Sequence, residues 1–229
     1  MISIVIPAYN ERDNILELFN KIELVMERNK LSYEVIFIDD GSTDDTLNVM
    51  KSIKNKKVNV ININKNSGKG NALMSGFKMA SGDIVITLDA DLQDDPEEVP
   101  KFINKINEGY DLVVGWKYDR KDSFHKVFRS KIFNFLTNLL TGIRLHDSNC
   151  GFKAYRKEVT NNLELNGGFY RYIPSIVNWK GFKIAEVMVN HKKRIYGKSK
   201  YGFGKIFTGL ADLIRLVLNK KKFDGCKNG

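Results

Sequence analysis

The stretch IVITLDADLQDD, residues 84–95, decides the architecture: an apolar run from Ile84 to Leu88 breaks at once into Asp89-Ala90-Asp91-Leu92-Gln93-Asp94-Asp95. A run that short and that continuous suits a strand buried on both faces, and the carboxylates then mark its carboxyl end. Working outward, Ile2 to Ile6, Glu34 to Ile38, Val58 to Ile63 and Leu112 to Val114 have the same character. Between them the apolar spacing changes to about 3.6 residues, as in Ile15, Leu18, Phe19, Ile22, Val25 and Met26, and Thr43 to Ile53 and Asn71 to Met79 read as further helices. This alternation predicts an α/β fold, a mostly parallel sheet with helices on both faces.

Ligands of such sheets sit beyond the carboxyl ends of the strands. Those segments are polar here: Pro7-Ala8-Tyr9-Asn10-Glu11 after the first strand, Asp39-Asp40-Gly41-Ser42-Thr43-Asp44 after the second, Asn66-Ser67-Gly68-Lys69-Gly70 after the third. Helix capping accounts for Ser42 or Thr43, and Pro96 suits a first helical position before Glu97 and Glu98. It does not account for paired carboxylates at two strand ends, which repel unless a cation or a donor compensates. Asp89 and Asp91 could hold Mg²⁺ or Mn²⁺ on a diphosphate, with Gln93 as a third oxygen ligand.

The chain of 229 residues carries a net charge of +10 that is unevenly spread. Residues 1–115 hold 13 Lys and Arg against 19 Asp and Glu, a net of −6, whereas residues 116–229 hold 24 against 8, a net of +16. The basic half suits an anionic partner, or simply a solvated surface. A nucleic-acid binder is disfavoured, since Asp39, Asp40, Asp89 and Asp91 would repel a phosphate backbone. Met1 leads straight into a strand-like run and no stretch reaches the roughly 20 apolar residues of a membrane span, so a cytoplasmic protein is expected. Two cysteines, Cys150 and Cys226, make no disulfide framework.

Past residue 116 the alternation breaks. An amphipathic stretch, Val127 to Leu140, leads to Asp147-Ser148-Asn149-Cys150-Gly151-Phe152, and a strand-like run follows from Lys183 to Val189. The basic segment from His191 to Gly202 suits a loop closing over phosphate. A last helix carries Phe203, Ile206, Phe207, Leu210, Leu213, Ile214, Val217 and Leu218 on one stripe, followed by Lys220-Lys221-Lys222. The expected division is a catalytic domain over 1–202 and an amphipathic helix with a basic tail over 203–229. Both apolar stripes could pack on the sheet or lie peripherally on an anionic membrane face. Two nucleotide signatures are excluded: residues 7–11 lack the glycines of a dinucleotide fingerprint, and Lys192 stands where a P-loop ending in Gly197-Lys198-Ser199 needs glycine.

Taken together, VIPAYNE (5–11), IDDGSTD (38–44), GKG (68–70) and DADLQ (89–93) resemble the family 2 inverting glycosyltransferases of the GT-A fold. The segment from Asp147 to Arg156 and Arg194-x-x-Gly197-x-Ser199-Lys200-Tyr201 resemble the branch acting on polyprenyl phosphates, such as dolichyl-phosphate mannose synthases. The resemblance implies a Rossmann-like GT-A domain and a nucleotide sugar donor, with UDP slightly preferred to GDP. It implies a nucleotide-sugar pocket of Pro7, Ala8, Tyr9, Glu11, Asp39, Asp40, Lys69, Asp89 and Ala90, and a metal on Asp89, Asp91 and Gln93. Arg129, Arg194, Ser199 and Lys200 would take the acceptor phosphate, and Asp89, Asp91, Arg194 and Lys200 would be catalytic.

The acceptor sets the chemistry. A phosphate monoester is already an anionic nucleophile at neutral pH, whereas a hydroxyl needs a general base, for which Asp147 is the candidate in the alternative reading. Asn149-Cys150 stand where the polyprenyl branch often has Thr-Ser, which leaves the sugar open. His125, His146 and His191 read as hydrogen-bonding residues, and Trp116 and Trp179 as core before sugar-stacking.

Overall fold

The computed structural model describes the backbone of residues 1–118, 124–192, 194, 196 and 204–223, with side chains for all of these except 124–129 and 204–207. Seven strands form one sheet: β1 (Ile2–Ala8), β2 (Tyr33–Asp39), β3 (Val58–Asn62), β4 (Ile84–Thr87), β5 (Leu112–Lys117), β6 (Lys153–Arg156) and β7 (Ile184–Val189), in the spatial order β3-β2-β1-β4-β6-β5-β7. The pairs β1/β2, β2/β3, β1/β4 and β5/β7 are parallel. The expected parallel sheet is thus interrupted once, by β6, antiparallel to both β4 and β5. Its four residues, Lys153-Ala154-Tyr155-Arg156, are too few and show no alternation that would announce a strand.

Helices α1 (Arg12–Arg28), α2 (Thr46–Ser52), α3 (Lys69–Met79) and α4 (Val99–Asn107) link the early strands, and α5 (Phe124–Thr141), α6 (Lys157–Asn161), α7 (Ile173–Trp179) and α8 (Gly204–Leu218) follow. Consecutive residues of a strand point to opposite faces, so the complete burial of Ile2 to Ile6 shows that both faces are covered. The helix expected from Thr43 starts three residues later, because Asn10 accepts from Thr43 N–H and holds Thr43 in the preceding turn.

Over its described side chains, helix α5 packs Phe133 and Leu136 against the core but also turns polar residues inward. Asn134, Thr137 and Thr141 are buried, while Ile132, Phe135, Leu139 and Leu140 are exposed. The inward polar groups are spent on structure: Asn134 Nδ2 donates to His146 O at 2.9 Å and Asn138 Nδ2 to Leu145 O at 2.8 Å, which fixes the loop before β6. Helix α8 buries Leu213 and Leu216 but exposes Ile214 and Leu218, and Tyr172 Oη donates to Gly209 O at 2.6 Å to dock it on the body. Among the described residues no helix is long and apolar enough to cross a membrane.

Candidate active site

In this strand order the chain leaves β1 toward β2 on one side and returns to β4 on the other. The carboxyl ends of β1 and β4 therefore flank a crevice at the switch of direction. A cleft of about 700 Å³ opens there, a size suited to a small-molecule ligand. Its walls carry Pro7, Ala8, Tyr9, Glu11, Asp40, Lys69, Asp89, Ala90, Asp91 and Arg194, all expected from the sequence.

Hydrogen bonds between loops build the side of the cleft expected to hold the nucleoside. Asn10, with φ of 53°, donates its N–H to Ser42 Oγ at 2.9 Å and accepts from Thr43 N–H at 2.7 Å, so the loops after β1 and β2 hold each other. The Asp40 carboxylate accepts from Ser67 N–H at 2.8 Å, Ser67 Oγ at 2.9 Å and Gly68 N–H at 3.0 Å, which draws the loop after β3 into the same wall. Asp39, expected beside the same pocket, is buried, takes Ser42 N–H at 3.3 Å, and is not among the cleft-lining residues. Strand alternation explains this, since adjacent aspartates face opposite ways and only Asp40 turns toward the opening.

The side expected to hold the metal begins where β4 ends. Leu92 has φ of 60°, a conformation costly for a branched residue, and it bends the chain directly after Asp91. Asp91 accepts from Gln93 N–H at 3.2 Å, and Arg194 closes on the other oxygen of its carboxylate. Lys69 pairs with Asp89. A Cβ on Gly151 would come within 2.6 Å of Asp89 Oδ2, so the absence of a side chain there leaves room for that carboxylate. Gln93 does not join them: its Nε2 donates to Lys192 O at 3.3 Å and it is not among the cleft-lining residues.

Arg194 lies far along the chain from Asp91, and a set of cross-links brings them together. Lys192 N–H donates to Gln93 O at 3.0 Å, Lys192 Nζ meets Asp95 at 2.7 Å, and Asn190 Nδ2 donates to Glu98 at 2.7 Å. Lys192, and Arg194 close behind it, are thereby fastened beside the Asp89–Asp95 loop, and Arg194 also reaches Glu11 at 3.4 Å.

Two buried lysines support the site from below. Lys117 Nζ lies 2.8 Å from Asp94, with only 12% and 1% of their side chains exposed. Burial opposes the Lys117 charge, but Asp94 and other anions outweigh it and hold the ammonium firmly protonated. Lys153 Nζ donates to Cys150 O, and burial brings its ammonium down to about 8. Desolvation works against the Asp89 anion, yet Lys69 and Lys117 hold its carboxyl at about 2. Burial pushes Asp91 up to about 6, reinforced by the charges of Asp89 and Asp94 and opposed by Arg194. The two carboxylates thus lean on nearby cations, which is the demand a divalent ion would meet.

Among the described residues no group of three or more His, Cys, Asp or Glu side chains forms a metal cage. Two carboxylates at a strand end do fit a hard cation that takes its remaining oxygens from phosphate and water, the usual arrangement for Mg²⁺. Asp147 is buried and absent from the cleft lining, with its N–H on Glu186 at 3.1 Å. Ser199 and Lys200 lie outside the described residues, as does the Arg129 side chain. His146 stacks on Trp116 at 3.9 Å away from the cleft lining, and Trp179 is buried.

The cleft has a further wall that the sequence reading missed: Gly167, Gly168, Tyr170 and Arg171 from a 3-10 turn (Gly167–Tyr172), and Asp212 from α8. Arg171 and Asp212 are paired at 3.3 Å. Glycines before an aromatic–Arg pair were the available signal, but nothing local tied them to residues 7–91.

Several solved structures share this fold. A glucosyl-3-phosphoglycerate synthase from Mycobacterium tuberculosis, in complex with phosphoglyceric acid, aligns with a TM-score of 0.74 at 23% identity over 96% of this chain and 79% of that one. The same protein with Mn²⁺, UDP-glucose and phosphoglyceric acid gives 0.75 at 23% identity, covering 96% and 79%. With Mn²⁺ and UDP-glucose it gives 0.75 at 22%, covering 96% and 78%. At that identity the likeness establishes the GT-A-like architecture. The family model described as glycosyl transferase family 2 matches residues 3–163, and the chain belongs to that family of glycosyltransferases.

Proposed function

We propose that this glycosyltransferase transfers a hexose from a UDP-sugar to an acceptor carrying a phosphate group, with Mg²⁺ or Mn²⁺ held by Asp89 and Asp91. The observation that carries the reading is the convergence of the Asp40 wall, the Asp89–Asp91 pair and Arg194 on one cleft. The metal would offset the charge that develops on the departing diphosphate. Lys69 and Arg194, paired with the same carboxylates, are placed to take phosphate oxygens. The fold neighbours, crystallised with Mn²⁺ and UDP-glucose, support this donor and this metal.

Two acceptors fit. The neighbours' names favour a hydroxyl on a small phosphorylated molecule, since they were solved with phosphoglyceric acid. The buried setting of Asp147, away from the cleft lining, gives that hydroxyl no support from the expected base. A polyprenyl phosphate is the second reading. It is favoured by the outward apolar faces of α5 (Phe135, Leu139) and α8 (Ile214, Leu218), beside the exposed Lys220, Lys221 and Lys222, which suit an anionic membrane interface.

Thermal-shift measurement with UDP, GDP and their sugars, each with Mn²⁺, tests the donor: stabilisation by UDP compounds is expected, and none by any of them would refute it. Product analysis with UDP-glucose and either phosphoglyceric acid or a short polyprenyl phosphate separates the acceptors. Transfer to neither would refute the phosphate-bearing class. Flotation with anionic vesicles, repeated with Phe135→Glu/Leu139→Glu, tests the lipid reading, which fails if the wild type stays unbound.

A further inference from the structure

The wall made by Tyr170, Arg171 and Asp212 has a construction that helix packing does not require. Asp212 is the only carboxylate in α8, and its side chain stays 25% exposed on the cleft. Arg171, 11% exposed, lies 3.3 Å from it and 4.8 Å from the centre of the Tyr170 ring. Lys69, which pairs with Asp89, stands 5.9 Å from that same ring. The Arg171–Asp212 pair is therefore one aromatic ring away from the expected metal and diphosphate position. Gly168 makes the arrangement possible: a Cβ there would fall 1.8 Å from Asp212 Oδ2 and 2.5 Å from Arg171 Nη1.

The chemistry favours a neutral polyhydroxyl ligand over a second anion. A phosphate approaching Arg171 would have to displace a carboxylate already on it and would meet that carboxylate's repulsion. A sugar adds to both partners without displacing either, because its hydroxyls donate to Asp212 while their oxygens accept from Arg171. The Tyr170 ring offers an apolar wall for the face of a pyranose. We propose that Arg171 and Asp212 are the sugar-reading end of the donor cleft, with Asp212 accepting from hydroxyls of the transferred hexose and Arg171 holding Asp212 in place while donating to a hydroxyl oxygen. This rests on the assignment of the cleft to a UDP-sugar. It adds the residues that choose which sugar, and it gives α8 a part in specificity.

The test is calorimetric titration of the full chain, in Mn²⁺, with UDP, UDP-glucose, UDP-galactose and UDP-N-acetylglucosamine. The wild type should bind one sugar nucleotide better than UDP. Asp212→Asn should leave the UDP affinity within about twofold, weaken the preferred UDP-sugar by roughly tenfold or more, and shrink the preference between glucose and galactose, as loss of a partner for a sugar hydroxyl requires. Arg171→Gln should act in the same direction and serves if Asp212→Asn does not melt at the wild-type temperature. Equal losses for UDP and UDP-sugars would make the pair a structural strut and overturn the inference. Unchanged affinities, or a wild type that binds no sugar nucleotide better than UDP, would also overturn it. A wild type that binds no UDP compound at all would overturn the donor assignment itself, an outcome recognisable because UDP alone then fails too.

Discussion

Replacing Lys117 by methionine should cost this protein much of its stability, although Lys117 is not among the cleft-lining residues. Its ammonium lies 2.8 Å from the carboxylate of Asp94, whose side chain is 1% exposed and whose oxygens have, among the described residues, no hydrogen-bond donor besides that ion pair. At an effective dielectric of about 20, a 2.8 Å pair has a Coulomb energy of about 6 kcal/mol. Much of this only offsets the desolvation of the two ions, but methionine keeps the volume and removes the partner, which leaves a buried anion uncompensated. Breaking such a pair from one side costs about 3–5 kcal/mol. Urea unfolding at neutral pH should show a loss of that size in Lys117→Met. The double variant Lys117→Met/Asp94→Leu should regain most of the loss, since an apolar pair needs no compensation. A single-variant loss under about 1 kcal/mol, or a double variant no more stable than the single, would refute the reasoning.

Asp91→Asn should reduce transfer by roughly a hundredfold or more while the far-ultraviolet circular dichroism is unchanged, as expected for one oxygen ligand lost from a hard-cation site; activity above a tenth of wild type would argue against a metal there. Gly41→Ala should weaken UDP binding about tenfold, because Gly41 has φ of 70° and its Cβ would lie 2.5 Å from Asn66 N, so the turn that donates to Asp40 must shift; an unchanged Kd by calorimetry would count against that wall as the nucleoside site. Cys150 is buried and burial pushes its thiol up to about 12, so in a Cys226→Ser chain it should stay unalkylated by iodoacetamide at pH 8 until denaturant is added. Prompt labelling of the native chain would contradict its placement.

The strand-end segments were legible because each obeys a local rule. Continuous apolar runs such as Ile2–Ile6 and Ile84–Thr87 bury both faces of a strand, and the polar residues after them have nowhere to go but the switch point. The illegible parts depended on distant partners. Whether Asp39 or Asp40 faces the cleft is a matter of strand phase, and the sequence DD carries no phase of its own. Strand β6 exists because β4 and β5 stand ready on either side of it, not because of its own pattern. The outward turn of Phe135 and Leu139 follows from the demands of His146 O and Leu145 O on Asn134 and Asn138. Periodicity shows that a stripe exists without showing which side of the helix the body claims.

The cross-linking of the Arg194 segment to the Asp89–Asp95 loop also bears on synthesis. The acidic half emerges first, with its carboxylates already crowded at the strand ends. Arg194, which pairs with Asp91 and Glu11, and the wall of Arg171 and Asp212 all follow residue 163, where the family match ends. A nascent chain stopped there would hold six of the seven strands and part of a binding site. The segment from Gly167 to Asp212 therefore works as a completion step, withholding a finished cleft until it has been made.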